Sequence, residues 1–162
     1  MTDPAIAERI RTIFLHHRQH VTIAEAEDML GWTRAEMNAA IKNDDIEPVS
    51  TCSGKMIELR DLAVKALDLW SLAAVEEALG RDAALIMPPA LRTRKLTLRI
   101  PQYQIAALKI LASERNESVD TMIERMLQEL VWTEEERLAP RIPGLAEASR
   151  WPEVIVETQQ PS

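Results

Sequence analysis

The sequence predicts a mainly α-helical protein with two small modules, the second of which dimerises through a two-stranded antiparallel sheet formed between copies. Two observations predict this fold class. Apolar residues recur at helical spacing along most of the 162 residues. In addition, residues 95–100 alternate as a strand does, yet no second strand lies close by in the sequence. A lone strand exposes unpaired backbone groups, so we expect it to pair with the same strand of another copy.

Composition and charge place the chain among ordinary globular proteins. It is 46% apolar and 28% charged, with a net charge of −7 and one cysteine, Cys52. The first nine residues, MTDPAIAER, have neither the basic nor the apolar region of a secretory signal, and the apolar stretch 83–91 is short and interrupted by prolines. We therefore expect a cytoplasmic protein without a membrane segment. The predicted units are residues 1–80, a linker at 81–93, residues 94–132 and a tail at 133–162.

The first unit contains two short helices with strong start signals. A first helix begins at Asp3-Pro4, where aspartate is a favoured N-cap and proline suits the first turn. Thr22 and Thr33 are each followed three residues later by glutamate, the pattern of a capping box. Gly31 ends the helix that Thr22 begins. Two short capped helices on either side of Gly31-Trp32 predict a helix-turn-helix.

A hairpin and two further helices complete this unit. Residues 48–51 and 56–59 flank a turn containing Gly54, and residues 60–70 and 71–79 have helical patterns. The order helix, turn, helix, hairpin, helix resembles the winged helix-turn-helix modules of excisionases and MerR-type regulators. The matching residues are Thr22 to Leu30, Gly31-Trp32-Thr33-Arg34, Ile41 and Arg60-Asp61-Leu62. The resemblance implies a small winged-helix-like domain over residues 1–80.

This module offers a candidate surface for DNA. Arg34, Asn38 and Lys42 recur every four residues and form a polar stripe on one helix, and Lys55 lies near the tip of the hairpin. Between Thr33 and Arg60, however, five acidic residues outnumber four basic ones. Since phosphate neutralisation supplies most nonspecific affinity, this balance opposes DNA binding. Two alternatives stay open: the module contacts DNA, or it is a unit for protein interaction or oligomerisation.

The segment from Lys95 to Val131 is the centre of the functional interpretation. Leu96, Leu98 and Ile100 lie on one face of the strand, and Lys95, Thr97 and Arg99 lie on the other. A helix follows Pro101, and Ser118 caps a second helix. The apolar faces of these helices consist of Ile105, Leu108, Leu111 and Ala112, and of Val119, Met122, Ile123, Met126, Leu127 and Leu130.

Strand, helix, helix with this spacing resembles the ribbon-helix-helix family of Arc/MetJ-type repressors and antitoxins, over about residues 94–132. The resemblance implies a homodimer whose shared ribbon enters the major groove of double-stranded DNA, with Lys95, Thr97 and Arg99 as base-reading residues. It also implies phosphate contacts at the helix start, Ser118-Val119. Arg92 and Arg94 are expected to contact flanking phosphates. Between residues 83 and 113 there are five basic residues and no acidic one, a basic segment in an acidic chain.

Several functional classes remain open or are disfavoured. The histidines His16, His17 and His20 are not accompanied by the third or fourth ligand that a metal site needs, and Cys52 has no partner. We therefore expect no metal, no cofactor and no enzymatic activity. The tail at 133–162 is proline-rich, with an isolated Trp151 and the run Val154-Ile155-Val156. It is either partly disordered or a binding segment for a protein partner. We expect a transcriptional repressor, dimeric or of higher order on DNA. The alternatives are an antitoxin or an architectural factor in plasmid segregation or excision.

Overall fold

The computed structural model describes residues 2–115 and 117–152. These residues are mainly helical, with one small antiparallel sheet, as the sequence predicts. The first part of the chain contains α1 (Pro4–Leu15), β1 (His20–Thr22), α2 (Ile23–Leu30), α3 (Arg34–Lys42), β2 (Pro48–Thr51), β3 (Gly54–Glu58), α4 (Leu59–Leu69), α5 (Leu72–Leu79) and α6 (Ala83–Ile86). The second part contains α7 (Gln102–Glu114), α8 (Val119–Thr133), α9 (Glu135–Leu138) and α10 (Leu145–Ala148). None of the described helices is both long and apolar enough to cross a membrane.

Local capping fixes the starts of the short helices, and the predicted capping boxes are confirmed. The Thr22 side chain accepts a hydrogen bond from the Glu25 amide, and the Glu25 carboxylate accepts one from the Thr22 amide; Thr33 and Glu36 repeat this exchange. The hydrogen bond from the Thr22 backbone, with further bonds from Arg18 and the Thr22 hydroxyl, lowers the pKa of Glu25 to about 2. These bonds satisfy amides that the helix itself leaves without partners.

Gly31 ends α2 in a left-handed conformation, with φ of 70°. A Cβ atom at this position would also collide with the guanidinium group of Arg9. The guanidinium group is the far end of a flexible side chain and can move, so it is the backbone conformation that favours glycine here.

The sheet has three strands in the order β1-β3-β2. The predicted hairpin forms between β2 and β3, with Val49 opposite Met56. Its second strand was predicted at 56–59 but is Gly54–Glu58, and Gly54 pairs with Thr51 where the sequence had placed it in the turn. Strand β1 was not predicted, and it pairs with the other edge of β3, placing Val21 opposite Ile57. Three residues are too few to show an alternating pattern, so only the fold reveals this strand.

The core lies in the N-terminal part of the chain and extends past residue 80. Its fully buried large side chains come from α1, α3, α4, α5, β1, β3 and the segment before β2: Ile10, Ile13, Val21, Met37, Ile46, Ile57, Leu62, Val75 and Leu79. Ala83 and Met87 join the same cluster, and Pro88 is buried as well. Leu91 packs against the cluster too, so the segment 81–93, interpreted from its prolines as a linker, packs on the module. Burial of its apolar side chains stabilises this packed position relative to a linker that is exposed to water.

The C-terminal segment also returns to this core. Trp151 is 6% exposed, and its ring stacks on Phe14 with centroids 5.2 Å apart and planes within 4°. Its indole Nε1–H donates to the Ile86 carbonyl oxygen at 3.1 Å. Residues 133–152, which composition alone would assign to a solvated tail, are thus tied to the N-terminal module by one aromatic side chain. The run Val154-Ile155-Val156 lies outside the described residues.

Candidate nucleic-acid interface

Residues 92–101 are exposed, and they have no assigned helix or strand in the single chain. Leu98 is 60% exposed, and Leu96 and Ile100 are exposed beside it. Among the described residues, the amides of 94–100 have no backbone hydrogen-bond partner. An apolar row with open backbone groups is the state that a strand has before its partner is added.

The three predicted base readers lie together on this segment. Lys95, Thr97 and Arg99 are exposed and alternate with the apolar row. Within the part of the chain that the structure describes, Lys95 and Arg99 have no ion-pair partner. Their charges are available for a ligand, because no carboxylate in that part of the chain neutralises them.

Arg92 and Arg94, the predicted phosphate ligands, differ in their surroundings. Arg94 is exposed. Arg92 donates through Nε to Glu76 at 2.7 Å, and the amide and hydroxyl of Thr93 donate to the same carboxylate at 2.7 and 2.6 Å. These bonds, first that of the Thr93 hydroxyl, hold the pKa of Glu76 below its ordinary value. Glu76 therefore holds the start of the segment 92–101 against α5. The same carboxylate competes with DNA phosphate for Arg92.

The start of α8 forms as predicted. Ser118 caps the helix by accepting a hydrogen bond from the Thr121 amide at 3.0 Å, and Val119 is the first helical residue. The helix end lies beside an open cleft of about 720 Å³ that the N-terminal module shares, with Asp3, Glu77 and Glu117 in its lining. Arg125 binds the Glu117 carboxylate through both oxygens. Arg125 neutralises Glu117, and the carboxylates of Asp3 and Glu77 in the same lining oppose a phosphate at this helix start.

A hydrogen bond joins α8 to α5 of the N-terminal module. The Glu124 carboxylate of α8 accepts a hydrogen bond from the Leu72 amide, at the start of α5, at 2.7 Å. Ser71 caps the Ala74 amide of the same helix, so Glu124 supplies a second cap from a distant part of the chain. Burial raises the pKa of Glu124, and the Asp120 carboxylate adds to the effect.

We expect Glu124→Gln to be at least as stable as the parent protein at pH 7. Glutamine keeps an acceptor for the Leu72 amide and removes a partly buried charge. A raised folded-state pKa means that the contribution of this carboxyl is fully present at low pH and is lost as pH rises through that pKa. The advantage of Gln over Glu should therefore shrink between pH 7 and pH 4. Urea unfolding at both pH values measures it, and Glu124→Ala, which leaves the amide unpaired, should lose about 1 kcal/mol.

The polar stripe of α3 is exposed, as predicted from its spacing. Arg34, Asn38 and Lys42 all lie on the surface, and so does Lys55 at the start of β3. Arg34 donates to Glu27 of α2 at 2.8 Å. This ion pair reduces the charge that Arg34 offers to DNA, so Lys42 and Lys55 are the stronger candidates on this module.

Several residues at the interface were not identified from the sequence. Glu76, Glu124 and Trp151 each hold two distant parts of the chain together, and none belongs to a local motif. No protein-family profile, curated protein or solved structure matches the chain. The function is therefore inferred from the exposure and charge of residues 92–101 and of their surroundings.

Proposed function

We propose that the protein is a sequence-specific DNA-binding protein, a homodimeric repressor whose residues 95–100 pair across a two-fold axis into a ribbon that reads the major groove. One observation carries the proposal. Eleven of the fifteen exposed large hydrophobic side chains among the described residues lie between Leu96 and Trp132. Such a concentration marks an uncovered interface, because water-exposed apolar patches of this extent are rare on monomers.

The chemistry of the segment favours a second copy of itself as the partner. An antiparallel pairing of 95–100 satisfies the backbone groups that point toward the partner strand, at alternate residues of both copies. The same pairing sets the row Leu96, Leu98 and Ile100 of each copy over the apolar faces of α7 and α8. An isologous contact of this kind is self-complementary and yields a dimer, in which the outer edge of each strand stays open to solvent.

The other face of such a ribbon would present two copies of Lys95, Thr97 and Arg99. A two-stranded ribbon fits the major groove, where arginine and lysine donate to guanine and the threonine methyl group packs on thymine. Arg94 is placed next to the ribbon for a flanking phosphate. Arg92, which is bonded to Glu76, would hold the start of the ribbon in place unless DNA displaces that carboxylate.

The N-terminal module supports a longer binding site in this proposal. Its helix pair and hairpin place α3 and Lys55 on the surface, as a winged helix-turn-helix would. Joined to a dimeric ribbon, two such modules would raise affinity through effective concentration. In the other use of this module, α3 contacts a protein, and substitutions at Lys42 and Lys55 then leave DNA affinity unchanged.

Selection from a random duplex pool, followed by binding of the selected DNA across a salt series, tests the proposal. Arg99→Ala should lose about 1–3 kcal/mol on the selected DNA and much less on random DNA. Lys109→Ala is the matched control, since Lys109 is an exposed basic residue of the same basic segment but lies on α7. This control should change the slope of log K against log salt by no more than about 0.9. If Arg99→Ala and the parent protein bind the selected DNA equally well, the ribbon does not read the DNA sequence.

A further inference from the structure

The start of α8 faces the N-terminal module across the cleft described above. Ser118 and Thr121 line one side of this cleft, and Trp70 and Glu77 line the other. Its volume of about 720 Å³ is that of a pocket for a small molecule. A DNA backbone docked on Ser118 needs room for the whole duplex, so the module occupies space that the predicted phosphate contact requires.

The side of the cleft opposite Ser118 also carries negative charge. Asp3 and Glu77 both lie in the lining on the side of the module. Hydrogen bonds hold these carboxylates in place, because Asp3 accepts from the Ala5 amide and Glu77 accepts from the amide and hydroxyl of Thr2. Two fixed negative charges raise the cost of bringing a phosphate to this helix start. The module therefore opposes DNA here by its position and by its charge.

Helix α8 lies against the module without sharing its apolar core. Ala112 and Met122 are the buried side chains of α7 and α8, and neither belongs to the core cluster of the module. The Glu124 carboxylate accepts the hydrogen bond from the Leu72 amide of α5, which we call the closing bond. Burial raises the pKa of Glu124, so the cost of burying its charge offsets part of the strength of this bond. Such a contact opens more easily than a packed core does.

We propose that the free protein is predominantly in a closed conformation, in which the N-terminal module covers the start of α8 and inhibits DNA binding. This inference rests on the DNA-binding function proposed above. In the open conformation the closing bond is broken, α8 separates from α5, and Ser118-Val119 becomes accessible to a phosphate. Trp151 can stay on Phe14 during this movement, since residues 134–150 connect it to the far end of α8.

Binding of the selected duplex by two variants of the full-length protein tests the proposal. When most chains are closed, the apparent affinity for DNA is reduced to the fraction that is open. Glu124→Ala removes the acceptor of the closing bond, whereas Glu124→Gln keeps an acceptor for the Leu72 amide. Glu124→Ala should therefore bind about fivefold more tightly than Glu124→Gln, the factor that corresponds to one hydrogen bond. Both substitutions remove the same negative charge, so their difference reports the bond and not the charge.

Leu72→Pro breaks the closing bond from the other side. Proline lacks the amide hydrogen, suits the first position of α5, and would follow Ser71, whose extended backbone is compatible with it. This variant should also bind DNA more tightly than the parent protein, and adding Glu124→Ala to it should give no further gain. Circular dichroism checks its folding, because the Leu72 side chain packs partly on the core.

Double electron–electron resonance between spin labels on opposite sides of the cleft measures the conformation itself. Ala73→Cys and Ser113→Cys place the labels on exposed lining residues of α5 and α7, and Cys52→Ser removes the native thiol. Dilution of the labelled chains with unlabelled ones restricts the signal to distances within one chain. Addition of the selected DNA should shift the distances to longer values, and so should Glu124→Ala without DNA.

The outcomes distinguish a failure of this inference from a failure of the proposed function. Equal DNA affinities of Glu124→Ala and Glu124→Gln overturn the inference and leave the DNA-binding function intact. Unchanged distances in a parent protein that is saturated with DNA do the same. If neither the parent protein nor Glu124→Ala selects any duplex, the DNA-binding function is contradicted, and this inference falls with it.

Discussion

Leu98→Lys is expected to convert the protein to a monomer and to abolish specific DNA binding. Leu98 lies in the middle of the apolar row of residues 95–100 and is 60% exposed in the single chain. In the ribbon dimer, two copies of this side chain would lie under the two-fold axis, against the helices. A lysine there places two like charges in a dry interface at a cost on the order of several kcal/mol. Such a cost weakens dimerisation by about a thousandfold.

Light scattering coupled to gel filtration measures this effect directly. The chain mass of 18.3 kDa separates monomer from dimer clearly. Leu85→Lys makes the same chemical change at a leucine outside the proposed interface, so it should remain dimeric and bind DNA normally. A Leu98→Lys protein that stays dimeric at the same concentration would show that the dimer forms through another surface.

Trp151→Ala is expected to destabilise the N-terminal module by about 3–5 kcal/mol, the cost of truncating a buried tryptophan. The substitution removes the ring that stacks on Phe14 and leaves the Ile86 carbonyl oxygen without the indole donor. It also leaves a cavity beside the cluster that contains Ile10 and Met87. Urea unfolding followed by far-ultraviolet circular dichroism measures the loss without depending on tryptophan fluorescence.

Trp132→Ala provides the control for this substitution. Trp132 is 51% exposed at the end of α8, so its truncation should cost less than about 1 kcal/mol. Equal stabilities of the two variants would contradict the docking of residues 133–152 on the N-terminal module. The result also bears on the antitoxin alternative, since a toxin that binds Trp151 would first have to draw it away from Phe14.

The parts of the fold that depend on neighbouring residues could be predicted from the sequence. The capping pairs Thr22–Glu25 and Thr33–Glu36 are three residues apart, and Gly31 ends α2 by its own backbone conformation. The hairpin around Gly54 and the cap at Ser118 are equally local. Each of these features leaves a short pattern because its energy comes from residues close in sequence.

The contacts between distant segments could not be predicted. The Glu76 bond to Arg92 and the Trp151 contact with Phe14 join residues that no periodicity relates. The three-residue strand β1 depends on β3 for its existence. For the candidate site, alternation predicts that Lys95, Thr97 and Arg99 share one face of a strand. Both faces are exposed in the single chain, so this stays a prediction. The competition of Glu76 for Arg92 and the acidic cleft beside Ser118 became visible only in three dimensions.

Hydrogen–deuterium exchange of residues 95–100, followed by mass spectrometry over a dilution series, tests the central claim most directly. These amides have no backbone partner among the described residues of one chain, so only pairing with another chain would protect them. Alternate amides of each strand point to the partner in a two-stranded ribbon, so the dimer predicts slow exchange of about half of these amides at tens of micromolar. This protection should be lost on dilution, and Leu98→Lys should exchange fast at all concentrations. Fast exchange of these amides in a protein that light scattering shows to be dimeric would contradict the ribbon.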